Sequence, residues 1–262
     1  MSNQQFQIQD AVAVVTGGAG GIGRALAARL HADGARVAVV DLNADQARAA
    51  AGQLPGAIGL GVDVTDEGAV TAMVAQVTEQ LGPIGLYFSN AGIATGGGLG
   101  DDDDWARSWA VHGMAHVYAA RVVLPDMKAR GAGAMVITAS AAGLLAMMQS
   151  APYTVTKHAS VALAEWLAIE YGESGVRLHC LCPQGVRTPM VSSDSRGEAE
   201  VGASGRILEP AEVADAVVAA VRSGTFLILP HPEVHGYEIG KVTDRDRWLA
   251  IMHRLKARLA AS

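Results

Sequence analysis

The sequence is poor in cysteine, in aromatic residues and in long apolar runs. Two of its 262 residues are cysteine and 5% are aromatic, so neither a disulfide framework nor a core of large rings is expected. No apolar run reaches the ~18 residues of a membrane-spanning helix, and the N-terminus MSNQQFQIQD lacks the charged-then-apolar order of a signal peptide. These absences favour a cytoplasmic protein without a membrane partner.

Positive charge is scarce as well. The 20 lysines and arginines are outnumbered by 26 aspartates and glutamates, and the resulting net charge of −6 argues against nucleic acid as a partner. The acidic run 101–104 is predicted to be a solvated loop or the start of a helix rather than a metal site. Cys180 and Cys182 lie in an apparent strand, where they are expected to point to opposite faces and therefore not to bridge.

Half of the residues are hydrophobic, and short apolar runs alternate with longer amphipathic ones. This alternation predicts an α/β fold, in which one domain over residues 1–262 forms a Rossmann-type doubly wound parallel sheet of about seven strands with helices on both faces. The predicted strands are 11–16, 36–41, 57–64, 84–90, 134–140, 176–183 and 226–230. The predicted helices are 21–32, 44–53, 66–81, 104–130, 151–173, 210–222 and 244–260.

A glycine-rich segment, TGGAGGIG (16–23), follows the first predicted strand and opens the first predicted helix. Glycines there let the backbone approach a pyrophosphate, and the helix N-terminus favours its charge. A glycine-rich turn without a ligand is the alternative. Asp41 closes the second predicted strand, where a carboxylate accepts hydrogen bonds from ribose hydroxyls and repels a 2′-phosphate. Asp41 therefore favours NAD over NADP, unless it is a simple turn aspartate.

Tyr153 and Lys157 stand four residues apart in YTVTK, at the start of a predicted helix. Their side chains therefore share one helical face. Tyrosine, with a pKa near ~10, is a poor base at neutral pH, but a neighbouring ammonium favours the phenolate. The pair alone is compatible with a tuned acid–base tyrosine or with coincidence.

The motifs taken together resemble those of the short-chain dehydrogenase/reductase family. TGGAGGIG matches the pattern T-G-x-x-x-G-x-G, residues 90–92 form N-A-G, and Ser140 ends the fifth predicted strand. YTVTK matches Y-x-x-x-K, and PQGVRT (183–188) resembles P-G-x-V-x-T. The resemblance implies hydride transfer between a nicotinamide and an alcohol or carbonyl carbon. It implies Tyr153 as general acid/base, Ser140 as the group that orients the substrate oxygen, and Lys157 as the cation that lowers the tyrosine pKa.

The same resemblance implies a set of cofactor-binding residues along residues 16–188. Lys157 would also hold the nicotinamide ribose, and several others would meet the adenine, the phosphates or the carboxamide. Some of them have an ordinary turn or core role as the alternative. The implied set is Gly17, Gly21, Ile22, Gly23, Asp41, Asp63, Val64, Asn90, Tyr153, Lys157, Val186 and Thr188.

Besides SNAG (89–92) in place of the commoner NNAG and Gln184 in place of a glycine, both of which look tolerable, the chain departs from the family pattern in two further places. His112 stands where the family carries an asparagine that holds a water for a proton relay. It is predicted to keep that relay, to brace its helix or to line the substrate pocket. The C-terminal extension 231–262 replaces the family's glycine-containing ending, which puts its usual oligomer contacts in doubt. A homo-oligomer, dimer or tetramer, is still expected through helices 104–130 and 151–173.

Apolar residues near the catalytic motif predict the substrate. Leu144, Leu145, Met147, Met148 and Met190 are candidates for an apolar, adaptable pocket wall, although some of them must be core. The polar segment 191–206 is a candidate substrate lid. HPEVH (231–235) has two histidines around a glutamate, but Pro232 and the lack of a third ligand favour loop or interface residues over a metal site.

The function predicted from these residues is NAD-dependent interconversion of a moderately hydrophobic secondary alcohol and its ketone. Two alternatives remain open. One is a non-catalytic dinucleotide-binding or sensing protein, which would tolerate loss of Ser140, Tyr153 or Lys157, all of which are present. The other is an epimerase or dehydratase on the same fold, for which the substrate region looks short.

Overall fold

A computed structural model describes residues 6–192 and 205–261 of the chain. Its strands are short, and the central ones are buried because they are rich in valine, alanine, isoleucine and leucine. The strands are β1 (Val12–Thr16), β2 (Arg36–Asp41), β3 (Ile58–Gly61), β4 (Ile84–Ser89), β5 (Gly133–Thr138), β6 (Val176–Leu181) and β7 (Leu227–Ile228).

The helices begin where polar side chains cap free backbone amides. Asn43 and Asp66 accept such hydrogen bonds, and Asp101 and Asp104 form a reciprocal capping box. The acidic run therefore starts a helix, as predicted. The helices are α1 (Gly21–Ala32), α2 (Ala44–Ala51), α3 (Glu67–Leu81), α4 (Asp102–Trp109), α5 (Ala115–Arg130), α6 (Ala151–Tyr171), α7 (Pro189–Ser192), α8 (Pro210–Ser223), α9 (Glu233–Thr243) and α10 (Arg245–Ala261).

The seven strands form one parallel sheet in the order β3-β2-β1-β4-β5-β6-β7. Helices α3, α5 and α6 pack on one face and α1, α2 and α8 on the other, each face with its own apolar core. The predicted Rossmann-type doubly wound sheet is confirmed. The strand order reverses between β1 and β4, so a crevice opens at their carboxyl ends.

Two predicted elements differ from the structure. The single predicted helix 104–130 is divided into α4 and α5 by a π-helical turn, Ala110–Met114, which contains the buried His112. The extra residue of such a turn shifts side-chain directions, and π-turns are frequent at functional sites. In addition, residues 233–243, predicted as loop, form α9, which begins directly after Pro232 because proline fits a helix start.

The prediction that Cys180 and Cys182 point to opposite faces is wrong, although they form no disulfide, as predicted. The sulfur atoms of Cys180 and Cys182 lie 3.7 Å apart, both fully buried and both unbridged. Side chains alternate along a strand, so residues two apart share a face rather than oppose each other. Within the described ranges, no helix is long and apolar enough to cross a membrane. Of the predicted lid, residues 193–204 lie outside the described part of the chain.

Candidate active site

A cavity of about 480 Å³ opens at the carboxyl ends of β1, β2 and β4. Every residue predicted to bind a dinucleotide lines it, although these residues are spread over more than 170 positions of sequence. The parallel sheet brings them together because the loops that follow its strands emerge at one edge. The lining includes Gly17, Gly21, Ile22, Gly23, Asp41, Asp63, Val64, Asn90, Tyr153, Lys157, Val186 and Thr188.

The glycine loop is packed too closely for side chains at two of its positions. Gly17 has a positive φ of +61°, and a Cβ on Gly23 would lie 2.1 Å from the Gly17 carbonyl oxygen. The loop therefore turns directly onto the N-terminus of α1, and its residues Gly17, Gly20 and Gly21 line the cavity. This backbone cradle fits the pyrophosphate of a dinucleotide.

Asp41 lies at the end of β2 and lines the same cavity. One carboxylate oxygen accepts a hydrogen bond from the Ala19 amide at 3.1 Å, and the other accepts from the Asn43 amide at 3.3 Å. The side chain is half-buried, so it connects the glycine loop to the start of α2 while still presenting negative charge to the cavity.

Asn90 lines the cavity, but its amide group binds protein atoms. Its Nδ2 donates to the Thr16 carbonyl at 3.0 Å, and its Oδ1 accepts from the Thr138 hydroxyl at 3.2 Å. These bonds join the carboxyl ends of β1, β4 and β5 behind the cavity floor. The structure thus gives Asn90 a supporting position under the predicted cofactor site.

Ser140, Tyr153 and Lys157 come together where this cavity meets the loop after β5. The Ser140 side chain lies close enough to Tyr153 to lower its pKa, and Ser140 Oγ accepts from the Ala142 amide at 3.1 Å. The Lys157 ammonium lies 5.7 Å from the centroid of the Tyr153 ring and donates to the Thr138 carbonyl at 2.9 Å. Ser150 caps α6 by accepting from the Tyr153 amide at 3.3 Å, which fixes the helix start that carries the tyrosine.

Burial dominates the pKa values of this cluster. It lowers the pKa of Lys157 to about 8, against an opposing effect of the thiols of Cys182 and Cys180. Burial also raises the pKa of Tyr153, although Ser140 acts in the opposite direction. The pKa of Tyr153 is thus set by burial, Ser140 and Cys182, and the role of Lys157 as the cation that lowers it stays a prediction.

Comparison with known proteins accounts for this arrangement of glycine loop, serine, tyrosine and lysine. Residues 11–199 match the family model described as short chain dehydrogenase. The chain belongs to the short-chain dehydrogenase family. The curated relatives that it matches are named as dehydrogenases, which supports an oxidoreductase.

Three relatives illustrate how far the likeness extends. A 2-(S)-hydroxypropyl-CoM dehydrogenase of Xanthobacter autotrophicus is 32% identical, over 83% of this chain and 91% of the relative. The meso-2,3-butanediol dehydrogenase of Serratia marcescens is 35% identical, over 83% of this chain and 89% of the relative. A Burkholderia phymatum short-chain dehydrogenase/reductase, solved in complex with NAD, superposes with a TM-score of 0.84 at 28% identity, covering 92% of this chain and 96% of that one.

His112 of this short-chain dehydrogenase is completely buried and braces its surroundings. Its Nε2 accepts a hydrogen bond from the Ile93 amide at 3.1 Å, so Nδ1 carries the proton and donates to the Thr156 hydroxyl at 3.0 Å. Burial lowers its pKa to about 2, and the Lys157 charge contributes. Of the three predicted roles of His112, this arrangement fits bracing, because both ring nitrogens are hydrogen-bonded inside the protein.

A second cavity, of about 820 Å³, adjoins the first at Ser140 and Tyr153. It is lined mostly by apolar groups, and the predicted pocket residues Leu145, Met147, Met148 and Met190 are among them. Leu144 is not, because its side chain is 9% exposed and packs in the core beneath the sheet face covered by α6. Leu145 packs against the same core but also lines the cavity.

The far wall of this cavity comes from the C-terminal extension, which sequence reasoning did not assign to the site. Its lining residues recur every three or four positions in α9 and α10, which places them on one face of each helix. This helical spacing was the sequence signal from which a cavity-lining face could have been predicted. The lining residues are Gly236, Tyr237, Gly240, Thr243, Asp244, Arg247, Trp248, Ile251, Met252 and Leu255.

His231, from the motif considered for metal binding, has a structural position. It is 2% exposed. Its Nδ1 accepts from the Gln184 amide at 3.2 Å, and its Nε2 lies 3.1 Å from the carbonyl oxygens of Gly185 and Arg206. Across residues 6–192 and 205–261, no group of three histidine, cysteine or acidic side chains is arranged to hold a metal ion. His231 instead anchors the start of α9 to the loop after β6.

Proposed function

We propose that this short-chain dehydrogenase interconverts moderately hydrophobic secondary alcohols and their ketones, with NAD(H) as the hydride carrier and Tyr153 as general acid/base. The observation that carries this proposal is the junction of the two cavities. Ser140 and Tyr153 line both the cavity with the glycine cradle and the apolar cavity. A substrate carbon at that junction lies between the hydride carrier and a proton donor.

The residues at the junction have different roles in the reaction. A nicotinamide bound along the first cavity supplies the hydride acceptor for oxidation and the donor for reduction. During oxidation, Tyr153 removes the hydroxyl proton as the C–H bond breaks, and it returns that proton during reduction. The Ser140 hydroxyl orients the substrate oxygen and stabilises the charge that develops on it. Lys157 keeps positive charge beside the tyrosine, since a pKa of about 8 leaves it protonated at neutral pH.

The pKa of Tyr153 bears on the order of events. Burial favours the neutral phenol, so the protein alone holds a proton donor. Formation of the phenolate for alcohol oxidation then requires further positive charge, which an oxidised nicotinamide carries. We therefore expect cofactor binding to precede productive alcohol binding.

NAD is preferred over NADP in this proposal because of Asp41. Its carboxylate lines the cavity at the end of β2, and no lysine or arginine occurs in the glycine loop or in residues 42–46. A 2′-phosphate there would meet negative charge without a compensating cation. The Burkholderia phymatum relative was solved with NAD, which supports the same choice.

A spectrophotometric panel tests the proposed function. NADH formation or consumption is followed with linear, cyclic and long-chain secondary alcohols and ketones, with NAD(H) and NADP(H) in parallel and the Tyr153→Phe variant as control. We expect turnover with apolar members and NAD(H). Cofactor binding without any turnover would instead support a non-catalytic binding protein. A product formed without net change in NADH would support an epimerase or dehydratase.

We also propose that the protein is a homo-oligomer through α4, α5 and α6. Trp166 and Ile169 on α6 are 57% and 82% exposed, and Trp109 at the end of α4 is 47% exposed. Large apolar side chains exposed together on neighbouring helices are typical of a protein–protein contact. Light scattering at micromolar concentration tests this, and a monomer would contradict it.

A further inference from the structure

The C-terminal helices α9 and α10 form a cap over the substrate cavity. The start of α9 is attached to the sheet domain, whereas α10 is attached mainly to α9. At the start of α9, Val234 is fully buried and His231 is hydrogen-bonded to the loop after β6. Further along, α10 makes its most extensive contacts with α9 rather than with the sheet or its covering helices. The position of α10 over the cavity therefore depends on what fixes α9.

Lys241, in the last turn of α9, provides that fixation. Its ammonium donates to the carbonyl oxygens of Leu144 and Leu145, at 2.6 and 2.8 Å, and lies 3.2 Å from His158 Nε2. An ammonium has three donors, and here each of them meets an acceptor. His158 Nδ1 donates to the Thr154 carbonyl at 2.8 Å, so its Nε2 is free to accept.

The Lys241 ammonium is held by dipoles rather than by a counter-ion. The residue is 8% exposed, and among the residues that the structure describes no carboxylate forms an ion pair with it. Burial lowers its pKa, with Arg245 acting in the same direction and Glu238 opposing. A buried charge is costly unless its hydrogen bonds are satisfied, so the three acceptors are required for the cap to close.

Two of the three acceptors of Lys241 belong to the catalytic loop, and the third, His158, lies on α6. Leu144 and Leu145 begin the segment that joins Ser140 to Tyr153. The same ammonium lies 5.3 Å from the ring centroid of Trp248, a residue of α10 that lines the cavity. One side chain thus connects the loop between the two catalytic residues with the far wall of the pocket.

The composition of the wall indicates what the cap encloses. Trp248, Met252 and Leu255 lie on the cavity side of α10, and Met147 and Met148 on the loop side. Of the described lining residues, Asp244 and Arg247 are the charged ones, and their charges are opposite. A cavity of about 820 Å³ with such walls suits a neutral, bulky, apolar substrate.

We propose that Lys241 is a positioning residue that holds the α9–α10 cap against the catalytic loop and thereby makes the enzyme select bulky apolar secondary alcohols and ketones over small ones. The substrate class rests on the proposed function, whereas the attachment of the cap by Lys241 does not. A small alcohol reaches Ser140 and Tyr153 without using the far wall. A bulky one gains affinity from α10 only while the cap is held in place.

The Lys241→Met variant tests the proposal, because methionine keeps an unbranched apolar stem but removes the charge and donors. Its matched control is Lys256→Met, at an exposed position of α10 outside the cavity lining. The probes are isopropanol and the bulky secondary alcohol that the wild type oxidises fastest in the panel. For Lys241→Met, kcat/KM should fall about tenfold for the bulky alcohol, through KM, and stay within about twofold for isopropanol. Lys256→Met should change neither.

Amide hydrogen exchange gives a second readout that does not depend on turnover. Exchange across residues 233–258 should accelerate in Lys241→Met and not in Lys256→Met, with the glycine loop unchanged. Equal losses of kcat/KM for both alcohols, no loss for either, or a wild type that prefers isopropanol to every bulky alcohol would overturn the proposed selectivity. If no alcohol or ketone is turned over, the proposed function fails, and unchanged exchange in Lys241→Met would separately overturn the role of Lys241.

Discussion

The two cavities that meet at Tyr153 are built in different ways. The cofactor cavity is made of strand ends and glycine-loop backbone, on which side chains such as Asp41 are fixed by hydrogen bonds at 3.1 to 3.3 Å. The substrate cavity has one wall from the catalytic loop and another from α9 and α10, which lie outside the sheet and join an apolar core at Val234. The cofactor cavity is thus part of the sheet, whereas one wall of the substrate cavity is attached to it. Such a division lets the same cofactor site serve different substrates on one fold.

The largest effect should come from the residue shared by both cavities. Tyr153→Phe keeps the ring packed against His112, whose centroid lies 5.3 Å away, but removes the exchangeable proton. We expect kcat to fall by about 10²- to 10⁴-fold, the range of general acid–base catalysis, while cofactor affinity stays within a few-fold. Steady-state kinetics and a fluorescence titration with NADH measure the two effects. A rate near that of the wild type would contradict the mechanism.

Acid should lower the free energy of unfolding, because several histidines are buried in the uncharged form. Burial lowers the pKa of His112 to about 2, of His116 to about 3 and of His179 to about 4. The unfolded chain binds protons at about 6.5, so stability is complete above that pH and declines as the pH falls below it. Three such groups should lower the unfolding free energy by about 4 kcal/mol between pH ~7.5 and pH ~5.5. Urea unfolding followed by circular dichroism measures this.

A variant pair checks the source of that acid sensitivity. His179→Gln should remove about a third of the pH slope, whereas His253→Gln, at an exposed position of α10, should leave it unchanged. Within the described part of the chain, the buried histidines all lie at or after residue 112. An identical slope in both variants would show that other groups cause the acid response.

The glycine loop offers a sharp test of how the cofactor cavity is built. A Cβ on Gly23 would lie 2.1 Å from the Gly17 carbonyl oxygen, whereas a Cβ on Gly20 meets nothing within 4 Å. Gly23→Ala should therefore cost about 1–3 kcal/mol of stability, lower Tm by about 5 °C and weaken NADH binding at least about tenfold. Gly20→Ala should keep both the Tm and the fold. Similar behaviour of the two variants would contradict the close packing of the loop.

Cofactor preference should change when Asp41 loses its charge. We expect Asp41→Ala to shift the ratio of kcat/KM for NADP to that for NAD by about tenfold, which corresponds to about 1.4 kcal/mol. Asp41→Asn removes the charge but retains an oxygen that can accept from the Ala19 amide. It therefore distinguishes the effect of the charge from the effect of the hydrogen bond to the glycine loop. Kinetics with both cofactors measure the shift. A wild type that already prefers NADP would show that Asp41 was misinterpreted.

The smallest effect on catalysis is expected at His112, which lines neither cavity. His112→Asn should lower Tm because two buried hydrogen bonds are disturbed, but kcat should change less than about threefold. The pH–rate profile should lack a limb near pH ~6.5 in wild type and variant alike, since the wild-type pKa is about 2. A histidine limb that disappears in the variant would restore the proton-relay interpretation.

Much of the fold and of the cofactor cavity was predictable because their signals are local. An apolar run such as VAVVT is buried on both faces wherever a parallel sheet places it. The glycine pattern and the Tyr153–Lys157 pair each span no more than eight consecutive residues. The π-turn at His112 was not predictable from local pattern, and the hydrogen-bond partners of His112, Ile93 and Thr156, are distant from it in sequence.

The sequence by itself determined the strand–helix alternation, the family and the residues that meet at the carboxyl ends of the strands, since spacing along the chain and the parallel order of strands are enough to place them. Only the tertiary structure decided that Leu145 lines the substrate cavity and Leu144 does not, that Cys180 and Cys182 are neighbours in the core, and that the C-terminal helices close the substrate cavity. The last of these depends on Lys241, two of whose acceptors lie nearly a hundred residues earlier in the chain, and no local pattern specifies a contact of that range.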